Sequence, residues 1–542
     1  MKRIYLIAAA FISLTVSAQT AFDALNYSRE LGGGTARSMA MGGAFNALGG
    51  DFSVLSVNPA GLGIYRSGEL TFTPTLEFME TTTNPEFDFG VEDSKGNFNF
   101  NNLGYVASNR TGATEGLVAY NFAVGFNRLQ NYHKSYRINS PGAIYSLTDA
   151  FDEQLNMYGP DNAAYGAQLA YDSYLMNESL TGGVYGRPLK DGVTVDYMKD
   201  ALETGRMNEW VFSMAANISN TFYVGATVGL RDIDHKKEIF QTETFFNEDI
   251  EDPQSVSYYR PDPVYGDTAY YSAYDDELGY VDGFDYNSIE STNGFGLNLK
   301  LGFLYRPIDI LRFGLAIHTP TYTWMNVSYA GDMLNNTFYI VTNTGEEQYG
   351  EENGIGYNDY YTEDFSYQIV SPYKVNFSTA IIVGKRLALD VEGDVVGYDK
   401  MKIKDGNGRM VSTSIQLAND DIETMYKTAY NLRAGAEFRV SPSISLRTGF
   451  AYYGSPYKDA DNNVADYIGD RFNYTGGIGF RTGDFFMDLA YVRANEKGNT
   501  FIYDDASDAY GNIDDVSDAY GNIIANTEYV NNRYMLTMGF KF

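Results

Sequence analysis

The 542-residue chain has no cysteine, three histidines and two tryptophans. Without thiols it forms no disulfide, offers no thiolate nucleophile and holds no cysteine-ligated metal. His133, His235 and His318 lie far apart, and no nucleophile motif accompanies any of them. A Ser/His or Asp/His hydrolytic centre is therefore not expected, and the chain reads as a non-enzyme. No metal or other cofactor is expected either. Asp459-x-Asp461-x-Asn463 opens like a calcium loop, but Val464 stands where that turn needs glycine. Haem capture would use His or Tyr ligands, and no pair stands out among 47 tyrosines. Long apolar runs are missing too. None reaches the roughly 18 residues that a spanning helix requires.

Basic residues are scarce, 39 against 70 acidic ones. Lys2-Arg3, the apolar run from Ile4 to Val16 and Val16-Ser17-Ala18 before Gln19 make residues 1–18 a secretory signal peptide. Its removal leaves 37 basic and 70 acidic residues, a net charge of −33. Nucleic acid and anionic membrane surfaces are thereby disfavoured as partners. An exported chain with no spanning helix is either soluble or a membrane β-barrel.

What is abundant is Tyr (47), Phe (34) and Gly (55), as in a barrel with aromatic girdles. Period-2 alternation predicts fourteen strands: Gly68–Glu80, Asn97–Ser108, Gly116–Arg128, Met207–Ile218, Thr221–Arg231, Gly294–Arg306, Leu311–His318, Tyr373–Gly384, Arg386–Val396, Thr428–Arg439, Ser443–Tyr453, Arg471–Arg481, Phe485–Arg493 and Asn532–Phe542. One face of each is apolar, as with Phe295, Leu297, Leu299, Leu301, Phe303 and Tyr305. The other is small or charged: Asp390, Glu392 and Asp394 share one such face. Lys300, Arg312, Arg433, Arg447 and Arg533 are expected to point the same way and to pair with these acids.

A soluble sandwich would share this alternation; the connections separate the two. They alternate strictly between short (Ser219-Asn220, Val440–Pro442, Thr482–Asp484) and long (Leu129–Arg206, Asp232–Asn293, Thr319–Pro372). Six short turns and seven long loops place both ends of the barrel on the short-turn side, the arrangement of a bacterial outer-membrane barrel. Tyr534, Phe540 and Phe542 alternate along the last strand and resemble a barrel-insertion signal read by the assembly machinery. His235–Phe246 is strand-like, and is read as a hairpin extension above the membrane. Asp504–Ile513 and Asp514–Ile523 form a tandem decapeptide, read as a duplication in a surface loop or, alternatively, a divalent-cation site.

The stretch from Ala36 to Gly63, ARSMAMGGAFNALGGDFSVLSVNPAGLG, fits no single period. Paired glycines disfavour a continuous helix, and Pro59 pushes Asn58 out of the helical region. Such a small-residue coil is either an ordinary glycine-rich loop or a plug packed against other backbone. Its Ala-Arg-x-x-Ala-Met-Gly-Gly-Ala-Phe run, followed by Asn-Pro-Ala-Gly and a strand, resembles the N-terminal hatch of the outer-membrane long-chain fatty acid and aromatic hydrocarbon transporters (FadL/TodX-like). A weaker likeness recurs at Tyr430–Pro456.

That resemblance implies a monomeric fourteen-stranded barrel (residues 68–542) whose lumen is plugged from the periplasmic end by residues 19–67. It implies uptake of long-chain fatty acids or other hydrophobic molecules across the lipopolysaccharide-bearing outer membrane. Met39, Met41, Phe45, Leu48, Phe52 and Leu55 are the expected apolar hatch surface near the ligand. Asn58, Pro59, Ala60 and Gly61 are the expected anchor to the wall. Gly125 is the expected kink in the third strand, beside a lateral exit. A hatch of this kind is expected to shift on ligand binding, being held by few apolar contacts. The other readings are a general porin, a surface adhesin or structural barrel, and a haem receptor.

Overall fold

The computed structural model describes residues 21–84, 90–143, 146–161, 163, 165–173, 175–178, 185–186, 194–246, 259–261, 268–270, 277–343, 346–350, 356–357, 363–384, 386–409, 413–458, 467–501 and 524–542. The calcium-like Asp459–Val464 stretch and the tandem decapeptide lie outside them.

Fourteen antiparallel strands close on themselves. They are β1 (Glu69–Thr83), β2 (Val91–Arg110), β3 (Leu117–Asn131, continued by Lys134–Ala143), β4 (Thr194–Ile218), β5 (Phe222–Phe246), β6 (Glu277–Ile308), β7 (Leu311–His318, continued by Tyr322–Asn343), β8 (Glu363–Val370 running into Lys374–Val383), β9 (Leu387–Gly397, continued by Lys402–Asp405), β10 (Thr428–Arg439), β11 (Ile444–Tyr453), β12 (Ile468–Thr482), β13 (Phe485–Phe501) and β14 (Ile524–Lys541). Each pairs with its neighbours in sequence, and β14 returns to β1, with Glu69 opposite Lys541 and Phe72 opposite Met538. Every edge is thereby removed, as a sheet in lipid requires.

The pleat then sorts the side chains. Phe295, Leu297, Leu299, Leu301, Phe303 and Tyr305 of β6 are all exposed, while Lys300 between them is 1% exposed. Trp210, Phe212 and Met214 stand on the same outer belt with Phe222 and Val228, and Glu209 and Ser213 face inward. The belt on β5 runs from Phe222 to about Leu230, the nine or so residues a tilted spanning strand needs. At one end the strands turn tightly: Ser219 and Asn220 carry φ of 54° and 55°, the mirror-image turn that suits strand twist. Phe542 and Gly68 meet at this same end, exchanging two backbone hydrogen bonds of 2.8 and 3.1 Å.

At the other end the barrel rises far beyond the apolar belt. β4 and β5 stay paired from Ile218–Phe222 to Thr194–Phe246, 25 residues each and about 80 Å of strand. His235–Phe246 belongs to this rise, as the hairpin reading expected. Much of the sequence assigned to long loops, Thr319–Pro372 above all, is instead strand. Above the belt both faces meet water or packed loops, so the apolar alternation that marks a spanning strand fades while the backbone ladder continues.

Five helices occur among the described residues. α1 (Ala21–Asn26) and α2 (Ala36–Met39) lie in the N-terminal segment; α3 (Leu147–Tyr158), α4 (Tyr165–Asp172) and α5 (Thr413–Met425) lie in long connections. Ser146 and Asp149 form a capping box that starts α3. α3 and α4 bury Phe151, Leu155 and Leu169 against Ile138, Tyr197 and Phe284 of the risen wall. α5 buries Ile415 and Ile422 against Leu25 of α1.

Candidate functional site

The N-terminal segment lies inside the barrel and runs most of its height. Its start is tied to the upper end, where the Tyr426 hydroxyl donates to the Ala21 carbonyl at 3.1 Å. Its end meets the short-turn end, where Tyr65 donates to Glu69 at 2.9 Å. The expectation of a stopper at one end alone is thus modified: the segment crosses the bore from top to bottom.

Local sequence explains its path. The Thr35 side chain caps α2 by accepting from the Ser38 amide and donates in turn to Asp51 at 2.8 Å. Asp51 caps the 3-10 turn Phe52–Ser56 and Asn58 caps the next, Pro59–Ile64. Gly42, Gly43, Gly49 and Gly50 all take positive φ between these short pieces, which is why no single period fits. Asn58 also donates to the Phe303 carbonyl at 3.3 Å.

The wall is stripped of side chains where this segment touches it. A Cβ on Gly302 of β6 would stand 2.3 Å from Asn58 Oδ1, and one on Gly225 of β5 would stand 2.4 Å from the Pro59 carbonyl oxygen. Gly435 and Gly449 face each other across β10 and β11 and meet the backbone or side chain of Met41 in the same way. Gly104 and Gly125, opposed across β2 and β3, seat the Phe52 ring. Gly125 stands in regular register there; the irregularities in the β3–β4 pairing fall at Leu117/Ala119 and Arg128/Gln130. Glycines inside strands weaken them and mark close backbone approach.

Charge completes the attachment. Arg433 bridges Glu392 at 2.5 Å and Asp394 at 2.6 Å, the pairing expected for these inward carboxylates. Glu392 and Asp390 also accept from the Asn46 and Leu48 amides at 3.2 and 3.1 Å. Arg312 donates to the Leu48 carbonyl. Lys300 pairs with Glu209 at 2.5 Å and donates to the Ser56 carbonyl at 2.8 Å. From the segment itself, Arg29 reaches Glu496 (2.6 Å), Glu30 reaches Arg231 (2.5 Å) and Arg37 reaches Glu437 (2.9 Å). Arg447 ties that Glu437 to Asp488. The segment is therefore held by buried ion pairs and amide–carboxylate bonds as well as by apolar contact, a stiffer attachment than expected.

The six apolar candidates are all buried. Met41, Phe45, Leu48, Phe52 and Leu55 share one cluster with Val106, Ala123, Val211 and Ala215 of the wall. Met39 joins Val492 and Met535 in another. They are brought together as packing against the barrel, and none lines the open space.

That space is a cavity of 220 Å³ beside α1, whose lining includes Phe22, Tyr27, Tyr132, Glu203, His235 and Asn531. His235 stands 13 residues on from Phe222 and so above the outer apolar belt. At its edge the Tyr27 hydroxyl lies 2.8 Å from His235 Nδ1, and His235 Nε2 lies 3.3 Å from Glu203. The Tyr132 ring lies 4.4 Å from the imidazole. Burial pushes the Glu203 carboxyl up, but Lys134 and His235 outweigh it and hold the group well below the usual carboxylate range. The sequence pattern missed this cavity, because its lining comes from α1 and from strands far apart in the chain.

An outer-membrane β-barrel with a filled bore is the class defined by these features. Residues 285–531 match the family model described as outer membrane protein transport protein (OMPP1/FadL/TodX), a stretch that includes the Tyr430–Pro456 likeness but not Ala36–Gly63. The chain is thus FadL/TodX-like, with the fold of the outer-membrane hydrophobic-compound transporters. Among solved structures it is similar to a Pseudomonas aeruginosa FadL homologue, at 12% identity over 95% of this chain and 100% of that one, with a TM-score of 0.51. It is also similar to a deltaS2 mutant of the TodX monoaromatic hydrocarbon channel, at 11% identity over 94% and 99%, with a TM-score of 0.52. None of the curated proteins matches the chain.

Proposed function

We propose that the chain carries hydrophobic small molecules inward through the outer membrane. Residues 19–67 act as a hatch, and the short turns and both termini face the periplasm. One observation carries this reading: the bore is filled along its length, yet a 220 Å³ cavity persists between the filling segment and the wall. A general porin needs a continuous aqueous path, and an adhesin needs no cavity. A cavity of about 150 Å³ is large enough for benzene, so a monoaromatic molecule fits this volume. Burying each methylene or its equivalent stabilises by about 0.8 kcal/mol.

Release then requires the hatch to move. The Phe52 ring covers the Gly104–Gly125 pair in the wall, and its withdrawal would open a lateral path towards lipid between β2 and β3. Met39, Met41, Phe45, Leu48 and Leu55 would meet the passing ligand as their clusters separate. Asn58–Gly61 is the fixed end about which the hatch swings.

The test is uptake of a radiolabelled hydrocarbon and a radiolabelled fatty acid by cells expressing the chain, paired with conductance in planar bilayers. The native protein should carry at least one of the two with little ionic current. Asn58→Ala, which removes a cap worth about 1 kcal/mol, should slow uptake. A large steady current with no uptake would overturn the reading.

A further inference from the structure

The cavity beside α1 has a chemistry that an apolar conduit does not need, and it bears on which molecules the proposed transport site accepts. Its cations are already engaged. Arg29 and Arg471 both hold Glu496, at 2.6 and 3.1 Å. Lys134 holds Glu203 at 3.1 Å, and Lys497 holds Glu528 at 2.6 Å. Lys237 adds its field to Glu203. The lining carboxylates include Glu290, which accepts from the hydroxyls of Thr292 and Tyr329 at 2.9 and 3.1 Å. A ligand carboxylate entering here would meet fixed acids and, among the described residues, no uncommitted cation, so its desolvation would go uncompensated.

The unmet needs are two amide oxygens, which can only accept, and one phenol, which can accept or donate. Asn531 is oriented by its Nδ2, which donates to Glu77 at 2.6 Å. Its Oδ1 is buried without a partner among the described residues, and so are the Tyr132 hydroxyl and Gln130 Oε1. All three residues line the cavity. In the Tyr27–His235–Glu203 relay the phenol oxygen lies against Nδ1 and the carboxylate against Nε2, and whichever way the Tyr27–His235 bond runs, the Tyr27 oxygen keeps a lone pair for a ligand donor. Buried acceptors left unpaired are costly, and native structures hold few of them. Aromatic rings, Phe22, Tyr27, Tyr132 and Tyr136 among them, also line the wall.

We infer that this cavity selects an uncharged aromatic molecule bearing a hydroxyl or amine donor, with Tyr132 and Asn531 as the residues that read the donor, and that it discriminates against carboxylates. The inference rests on the transport reading above, to which it adds a substrate class. A site built to bond a hydroxyl rejects the analogue that lacks it, because its own groups then stay unpaired.

The test uses the full chain in lipid nanodiscs at pH 7.5, with empty nanodiscs subtracted. Binding of 4-ethylphenol, ethylbenzene, 4-ethylbenzoate and palmitate is measured by equilibrium dialysis. The phenol should bind about tenfold more tightly than ethylbenzene, the worth of one or two hydrogen bonds, and more tightly than either carboxylate. Tyr132→Phe and Asn531→Ala should together bring the ratio of phenol to ethylbenzene affinity from about ten down to about one. Equal affinities for phenol and hydrocarbon would overturn the inference, as would a carboxylate bound as tightly as the phenol, or a phenol preference that survives both substitutions. In each of those cases the transport reading stands. If none of the four probes bound, that reading would fall as well.

Discussion

Gly449→Ala is the sharpest way to test whether the N-terminal segment is held against the wall. The new Cβ would lie 2.1 Å from the Met41 carbonyl carbon and 2.3 Å from the Gly42 amide nitrogen. β11 cannot retreat, because Gly449 is paired with Gly435 on one side and with Thr475 on the other. The segment must yield instead. Overpacking of this kind costs about 1–3 kcal/mol, which raises the population of displaced segment about 5- to 150-fold. The chain has no cysteine, so Ala44→Cys, at a fully buried position, supplies a lone thiol reporter. Its labelling by a polar maleimide follows the open population while opening and reclosing outpace the chemistry. Gly476→Ala is the control: it sits on β12, and its nearest atom, the Arg447 carbonyl oxygen, is 3.8 Å away. Labelling should accelerate in Gly449→Ala and stay at the parent rate in Gly476→Ala. Equal rates in both would show that the segment does not rest on the Gly435–Gly449 pair, and the attachment described here would be wrong.

Removing one partner of a buried pair should cost more than removing both. Lys300→Met leaves Glu209, which is fully buried, with an uncompensated charge, a loss of about 3–5 kcal/mol. The Lys300→Met/Glu209→Leu double variant should recover most of the lost melting temperature in detergent. Glu243, in the risen part of β5, accepts from the Ser146 hydroxyl and the Leu147 amide at the start of α3. Burial, its largest cause, lifts its pKa to about 8 despite those donors. The folded form thus binds the proton more tightly than the unfolded chain. Docking of α3 is strongest below about pH 4.5 and weakens as pH rises through 8. Hydrogen exchange in Leu147–Tyr158, corrected for its intrinsic pH dependence, should quicken between pH 5 and 8.5, and Glu243→Gln should abolish the trend. Phe542 lies against Gly68 and stacks on Tyr105 with centroids 5.9 Å apart. Phe542→Ala should reduce the fraction of chain that reaches the folded, heat-modifiable form in the outer membrane. Undiminished assembly would remove its proposed role as an insertion signal.

The strand pattern was legible at one end of the barrel and obscure at the other. Thr428–Arg439 coincides with β10, and the predicted strands begin or end within a few residues of the observed short turns. The upper ends are another matter: Met207 became Thr194 on β4, and Asn532 became Ile524 on β14. Lipid imposes alternation only where lipid is. Higher up, hydrogen bonding and scattered packing against loops and helices maintain the ladder, and neither imposes a two-residue hydropathy pattern. The helices over the rim were hidden for a related reason. α3 and α5 carry narrow apolar faces that make sense only against the risen wall.

Local chemistry was enough to settle the fourteen strands, their inward charges, the alternation of turns and the oddity of Ala36–Gly63, because each is a property of neighbours in the chain or of a two-residue period. Closure of the sheet decided the rest. It set which glycines the segment presses upon, which arginine each carboxylate meets, and that Tyr27, Tyr132, His235 and Asn531, each a hundred residues or more from the next, border a single space. Such contacts depend on strand order around a ring and on the segment's path inside it, and no pattern along the chain encodes either.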